Sequence, residues 1–115
     1  MVEVWEAPRC FTVVGREPEA APQALGMDRA LTRRPAVDRR LDGDRVLIDV
    51  TGKAMYVLNP TAWTIWQLCD GQHSADQIVG ELVRRYQVEE AAVGPECLAV
   101  LRALEAAELV VEVDR

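Results

Sequence analysis

Tyr56-Val57-Leu58-Asn59-Pro60-Thr61-Ala62-Trp63-Thr64-Ile65-Trp66-Gln67-Leu68-Cys69-Asp70-Gly71 is an extended apolar segment that turns into a helix and stops at a glycine. Tyr56, Val57 and Leu58 favour a strand. Asn59 is a helix-capping residue, and Pro60 suits the first helical position, where its missing N–H costs no intrahelical bond. The switch from strand to helix therefore falls at Asn59. Ala62, Ile65, Trp66 and Cys69 recur at three- and four-residue spacing and make one helical face. Asp70-Gly71 supplies the stop, with Gly71 free to take the left-handed conformation. A short sheet meets a set of helices at this junction.

Upstream, the pattern is a meander. Val37, Arg39 and Leu41 alternate with Asp38 and Arg40, and Asp42-Gly43 fits a tight hairpin turn. The next strand, Arg45 to Val50, places Val46, Ile48 and Val50 on one face, which is expected to be the buried one. Thr51-Gly52-Lys53 turns the chain into a third strand, Ala54 to Leu58, with Tyr56 and Leu58 on one face and Met55 and Val57 on the other. Downstream, Ser74 and Gln77 have capping-box spacing, and Ile78, Val79, Leu82, Val83 and Tyr86 form the stripe of a second helix. A third helix is expected to open at Pro95 and to bury Cys97, Val100, Leu101 and Leu104, after a loop from Gln87 to Gly94 in which Glu89-Glu90-Ala91-Ala92 is the alternative helical stretch; Val111-Glu112-Val113 adds a last short strand. The expected fold is α+β and winged helix-turn-helix-like, a three-stranded antiparallel sheet followed by three helices.

Residues 1–33 read as an N-terminal extension and linker, and 34–115 as the main domain. Val2, Val4, Trp5, Phe11, Val13 and Val14 fit one or two strands, packed on the main domain or on another subunit, while Gly15 to Pro22 is punctuated by proline and breaks any continuation. Met27 stands as an alternative translation start.

A chain of 115 residues, half of them hydrophobic, buries one modest core. Its net charge of -6 disfavours a binder that neutralises phosphates, which needs clustered Lys and Arg. No apolar run approaches the roughly 20 residues that cross a bilayer, and Met1 to Arg9 has no secretory pattern, so a cytoplasmic protein without membrane contact is expected. Cys10, Cys69 and Cys97 form no close pair and read as reduced thiols. His73, the single histidine, falls in an inter-helix turn and reads as solvated. With no zinc spacing, no phosphate-cradling loop and no base beside Cys10, the sequence argues for no metal, no cofactor and no enzyme.

Residues from about Arg34 to Val111 resemble PqqD-like proteins, the recognition elements for leader peptides of ribosomally made, post-translationally modified peptides. The residues that carry the resemblance are Tyr56-x-Leu58-Asn59-x-Thr61-Ala62, Trp66-x-Leu68-x-Asp70-Gly71, Ile78 with Leu82 and Tyr86, and Leu101-x-x-Leu104 before Leu109-Val110. The resemblance implies a non-catalytic adaptor. Its partners would be a precursor peptide and an enzyme such as a radical SAM enzyme, a cyclase or a leader peptidase, with no nucleic acid and with a homodimer allowed. In that family the leader pairs with the free edge of the third strand and lies against the third helix. The corresponding candidate residues here are Lys53, Ala54, Met55, Tyr56, Val57 and Leu58 at the edge, Leu98 and Leu101 in the cleft, and Lys53 and Arg102 toward acidic leader residues. The physics agrees, because an unpaired strand edge binds an extended peptide by β-augmentation. A strand from Val2 to Val14 competes for the same edge, in cis or by swapping into a second molecule. The alternative, a winged-helix DNA-binding regulator, is the weaker reading, since Asp76, Glu81, Glu96, Glu105 and Glu108 outnumber Arg84, Arg85 and Arg102 on the candidate helices.

Overall fold

The computed structural model describes residues 4–15, 29–50 and 52–113. Met1 and Val2, the linker from residue 16 onward and Met27 lie outside the described residues. The element order is β1 (Cys10–Val14), β2 (Ala30–Arg33), β3 (Ala36–Leu41), β4 (Asp44–Asp49), β5 (Met55–Leu58), α1 (Pro60–Leu68), β6 (Asp70–Ser74), α2 (Ala75–Tyr86), α3 (Glu90–Ala106) and β7 (Val110–Glu112). The architecture is α+β with antiparallel pairing, but among the described residues the strands number seven in two sheets, where the sequence suggested one sheet of three.

The larger sheet has the order β1-β5-β4-β3. Its hairpin forms as the Asp42-Gly43 pair requires, with Asp42 in the left-handed region (φ 53°). The buried face of β4 is the opposite of the one expected. Leu47 is wholly buried, whereas Val46 and Ile48 are half-buried and Val50 is exposed. Register gives the reason. Leu47 stands opposite Tyr56, which faces the helices, while Val46 and Ile48 stand opposite Val57 and Met55 on the outer face. Arg45, on the inner side, lies over the Trp63 ring at 4.7 Å, so Trp63 is a half-buried flank of the core.

The smaller sheet, β6-β2-β7, closes the other side. Its central strand β2 buries Ala30 and Leu31 almost completely. Residues 70–74 form β6 because β2 gives them a partner, with Leu31 opposite His73. His73 is therefore half-buried instead of solvated, and its Nδ1 lies 2.9 Å from Asp70 Oδ1. Helix α1 ends at Leu68, before Gly71, and Gly71 takes its positive φ (84°) inside β6.

Helix α2 carries the complete capping box. Ser74 N–H donates to Gln77 Oε1 at 2.8 Å, and Gln77 N–H donates to Ser74 Oγ at 3.3 Å. Helix α3 starts at Glu90, a turn before the expected Pro95, which sits inside the helix. Pro95 is exposed, and its missing N–H leaves one helical carbonyl without an intrahelical donor. The core lies between the two sheets and the helices. It is built from Leu31, Leu47, Leu58, Ile65, Ile78, Leu82, Leu101 and Leu104, all fully buried. Trp66 ties α1 to the C-terminal strand through Nε1–H donating to the Leu109 carbonyl at 3.1 Å.

Candidate peptide-binding edge

β5 has two neighbours. On one side it pairs with β4; on the other, the edge expected to be open holds β1, antiparallel, with Cys10 opposite Leu58, Phe11 opposite Val57 and Thr12 opposite Tyr56. The competing reading of the N-terminal segment is thus the observed one, in cis. The register slips between Thr12 and Val14, and the chain leaves at Gly15 with φ 105°. A Cβ at Gly15 would meet the Lys53 carbonyl and the Ala54 side chain at 3.2 Å, so the close approach to the start of β5 suits only glycine. Helix α3 packs against β1 from the other side. An extended segment therefore already occupies a slot between β5 and α3.

The junction that caps α1 also grips this segment. Asn59 Oδ1 accepts from Ala62 N–H at 3.1 Å, which is the cap, and from Arg9 N–H at 2.8 Å. Its Nδ2 donates to the Ala7 carbonyl at 2.8 Å, and its own N–H donates to the Arg9 carbonyl at 3.1 Å. Thr61 Oγ1 donates to the Glu6 carbonyl at 2.7 Å. Apart from the cap bond to Ala62, each of these contacts addresses the main chain of residues 6–9. Pro8 is buried, and Trp5 sets its ring edge-on to Tyr86 of α2 at 5.2 Å. The sequence marks Asn59 as a helix cap and gives Thr61 no part in binding. The available signal was the Asn59 amide, which offers a donor that capping does not use.

Of the expected site residues, Met55 to Leu58 form the strand itself, with Met55 and Val57 half-buried and Tyr56 and Leu58 in the core through their side chains. Ala54 is half-buried and Lys53 exposed at the entry to the strand. Leu101 is completely buried, with Cys97 and Leu104 of the same helix. Leu98 and Arg102 lie together, but in a different place. With Asp76 and Val79 of α2 and Glu90, Ala91, Gly94 and Pro95 of α3 they line a cavity of about 700 Å³ between the two helices.

Burial pushes the Cys69 and Cys97 thiols up to about 12, so both stay protonated and inert at neutral pH. Among the described residues no group of three or more His, Cys, Asp or Glu could hold a metal ion, and no helix is long and apolar enough to cross a membrane.

An α+β domain in which a sheet edge and a helix flank an extended segment is the class that these observations define. The family model for coenzyme PQQ synthesis protein D (PqqD) matches residues 44–110, more than half of the chain, and the chain belongs to that family. Among solved structures the chain is similar to TbiB1 in complex with the TbiA(beta) leader peptide, with a TM-score of 0.60 at 22% identity over 73% of this chain and 99% of that one. At that identity the likeness is one of fold. A search of the curated proteins finds no match.

Proposed function

We propose that the chain is a non-catalytic adaptor that binds the leader segment of a ribosomally made precursor peptide as an added strand on β5 and presents the remainder to a separate modifying enzyme or protease. The observation that carries this reading is that β5 accepts an antiparallel strand on the edge away from β4, with α3 against that added strand. Main-chain pairing supplies affinity in such a mode, and Asn59 and Thr61 extend it beyond the strand by four further backbone contacts. Membership of the PqqD family supports the reading. So does a fold shared with TbiB1, which was solved with a leader peptide. The edge formed by Lys53, Ala54 and Met55 to Leu58 is the proposed site, in a winged helix-turn-helix-like arrangement. Leu98 and Arg102, set apart in the α2–α3 cavity, suit contact with a more distant part of the peptide or with the partner enzyme.

The test is a titration of the isotope-labelled full chain with synthetic peptides covering the leader of a precursor encoded beside its gene. The backbone amides of Met55 to Leu58 and the Asn59 side-chain amide are expected to shift. If they stay fixed while duplex DNA moves the signals of α2 and α3, the adaptor reading fails.

A further inference from the structure

We propose that Val4 to Gly15 is a tethered ligand of the β5 edge: in the free chain it blocks the site, and an incoming peptide binds by displacing it. The second half of this statement rests on the peptide-binding reading of that edge; the first half stands on geometry alone.

The segment is seated like a ligand. Its hydrogen bonds to Asn59 and Thr61 run through its own backbone, at Glu6, Ala7 and Arg9, and its strand pairs with β5 backbone to backbone. Another extended peptide can reproduce each of these bonds one for one. Trp5 against Tyr86 and the buried Pro8 are its side-chain anchors.

The seat is also imperfect, as a displaceable occupant requires. Phe11, Val13 and Val14 remain 54%, 57% and 48% exposed, so β1 gains little from apolar burial. Three side-chain polar atoms among the described residues are buried with no hydrogen-bond partner: Trp5 Nε1, Thr12 Oγ1 and Glu96 Oε2. Two of the three belong to this segment and the third to α3, which packs on it. Buried polar atoms without partners favour the open state, in which water satisfies them. The family match, residues 44–110, does not include β1. A short covalent tether gives such a segment an effective concentration on the order of millimolar, enough to mask a site without tight intrinsic binding. Apparent affinity for a free peptide then falls by the fraction of molecules in which the edge is open.

The experiment uses the full chain and, as probe, a fluorescent synthetic peptide of residues 4–15 carrying Cys10→Ser, added in trans. Trp5→Ala loosens the tethered copy and leaves β5, Asn59 and Thr61 intact. The variant is expected to bind the probe about tenfold or more tightly than the unmodified chain. Cys10 provides a second reading, because Cys69 and Cys97 are held inert by burial. Its alkylation should quicken about tenfold in Trp5→Ala, and saturating probe should quicken it in the unmodified chain. Should Trp5→Ala not fold, Phe11→Pro and Thr12→Pro serve instead. Adjacent amides point to opposite edges, so one of the two removes a bond to β5.

Equal probe affinity and equal Cys10 reactivity in folded variants would overturn the proposal. A concentration-dependent dimer with Cys10 protected only in the dimer would overturn it too, by placing the segment on a second copy. The two readings also fail separately. If the variants open and take the probe but no precursor leader binds, the tethered ligand stands and the leader reading falls. If leaders bind the unmodified chain and its variants alike, the reverse holds.

Discussion

β1 and β2 are short strands from the same N-terminal third of the chain, and each completes a sheet, yet they are held in different ways. β2 is the centre of its sheet, flanked by β6 on one side and β7 on the other, with Leu31 fully buried and the Val113 N–H donating to the Ala30 carbonyl. β1 is an edge strand on the larger sheet, with its outward side chains half in water. Removing β2 would leave two strands unpaired and a hole in the core. Removing β1 would return β5 to the edge of its sheet. A central strand is structure, whereas an edge strand held by its backbone can be exchanged.

Substitutions on the two strands test that difference. Leu31→Ala should cost about 3 kcal/mol in a denaturant titration, the usual cost of truncating a fully buried leucine, and should loosen both sheets together. Asn59→Asp should cost less than about 1 kcal/mol. A carboxylate still accepts the Ala62 N–H and suits a helix N-terminus, so the cap survives. What is lost is the donor to the Ala7 carbonyl, replaced by an oxygen facing an oxygen. Amide exchange in residues 10–14 should then accelerate while α2 and α3 keep their protection. If Asn59→Asp instead destabilises the domain as much as Leu31→Ala, β1 is integral and the distinction collapses.

The parts of this fold legible in the sequence were those whose signals are local. The Asp42-Gly43 turn, the Asn59-Pro60 helix entry and the Ser74/Gln77 box each specify their conformation within a few residues, and all three formed. What was missed depends on partners distant in sequence. Asp70-Gly71-Gln72-His73-Ser74 has no strand propensity and is a strand because β2 lies beside it. Ala30 to Arg33 is too short and too mixed to show alternation, and its burial comes from the position it occupies between β6 and β7. Period two gave the two faces of β4 correctly but not which of them met the helices. That choice was made by Tyr56 across the sheet. At the site, β5 and a competing N-terminal strand were both legible, while the grip on residues 6–9 was not, because main-chain contacts from Asn59 and Thr61 leave no apolar pattern there.

The smaller sheet carries the weakest of the expected effects, and it runs with pH. Burial would raise the Asp70 carboxyl, but hydrogen bonds from His73 and from the Gln72 N–H outweigh it and bring the group below its ordinary value of 3.8. On α2, the Glu81 carboxyl, hydrogen-bonded to Arg84, is likewise held below 4.5. Both carboxylates are favoured in the folded chain more than in the unfolded one. Their contribution is therefore complete above the ordinary carboxylate values and is lost as pH falls through the lowered ones. Both pairs lie near the surface, where solvent and salt screen them, so the loss should be smaller than either substitution effect. Asp70→Asn with Glu81→Gln should flatten the fall in thermal midpoint between about pH 6 and pH 3 relative to the unmodified chain. A pH profile unchanged by the pair would assign the acid sensitivity to other carboxylates. A fall concentrated in Cys10 exposure would assign it to release of β1, and would make the edge strand, not the central one, the first part of the fold to respond to acid.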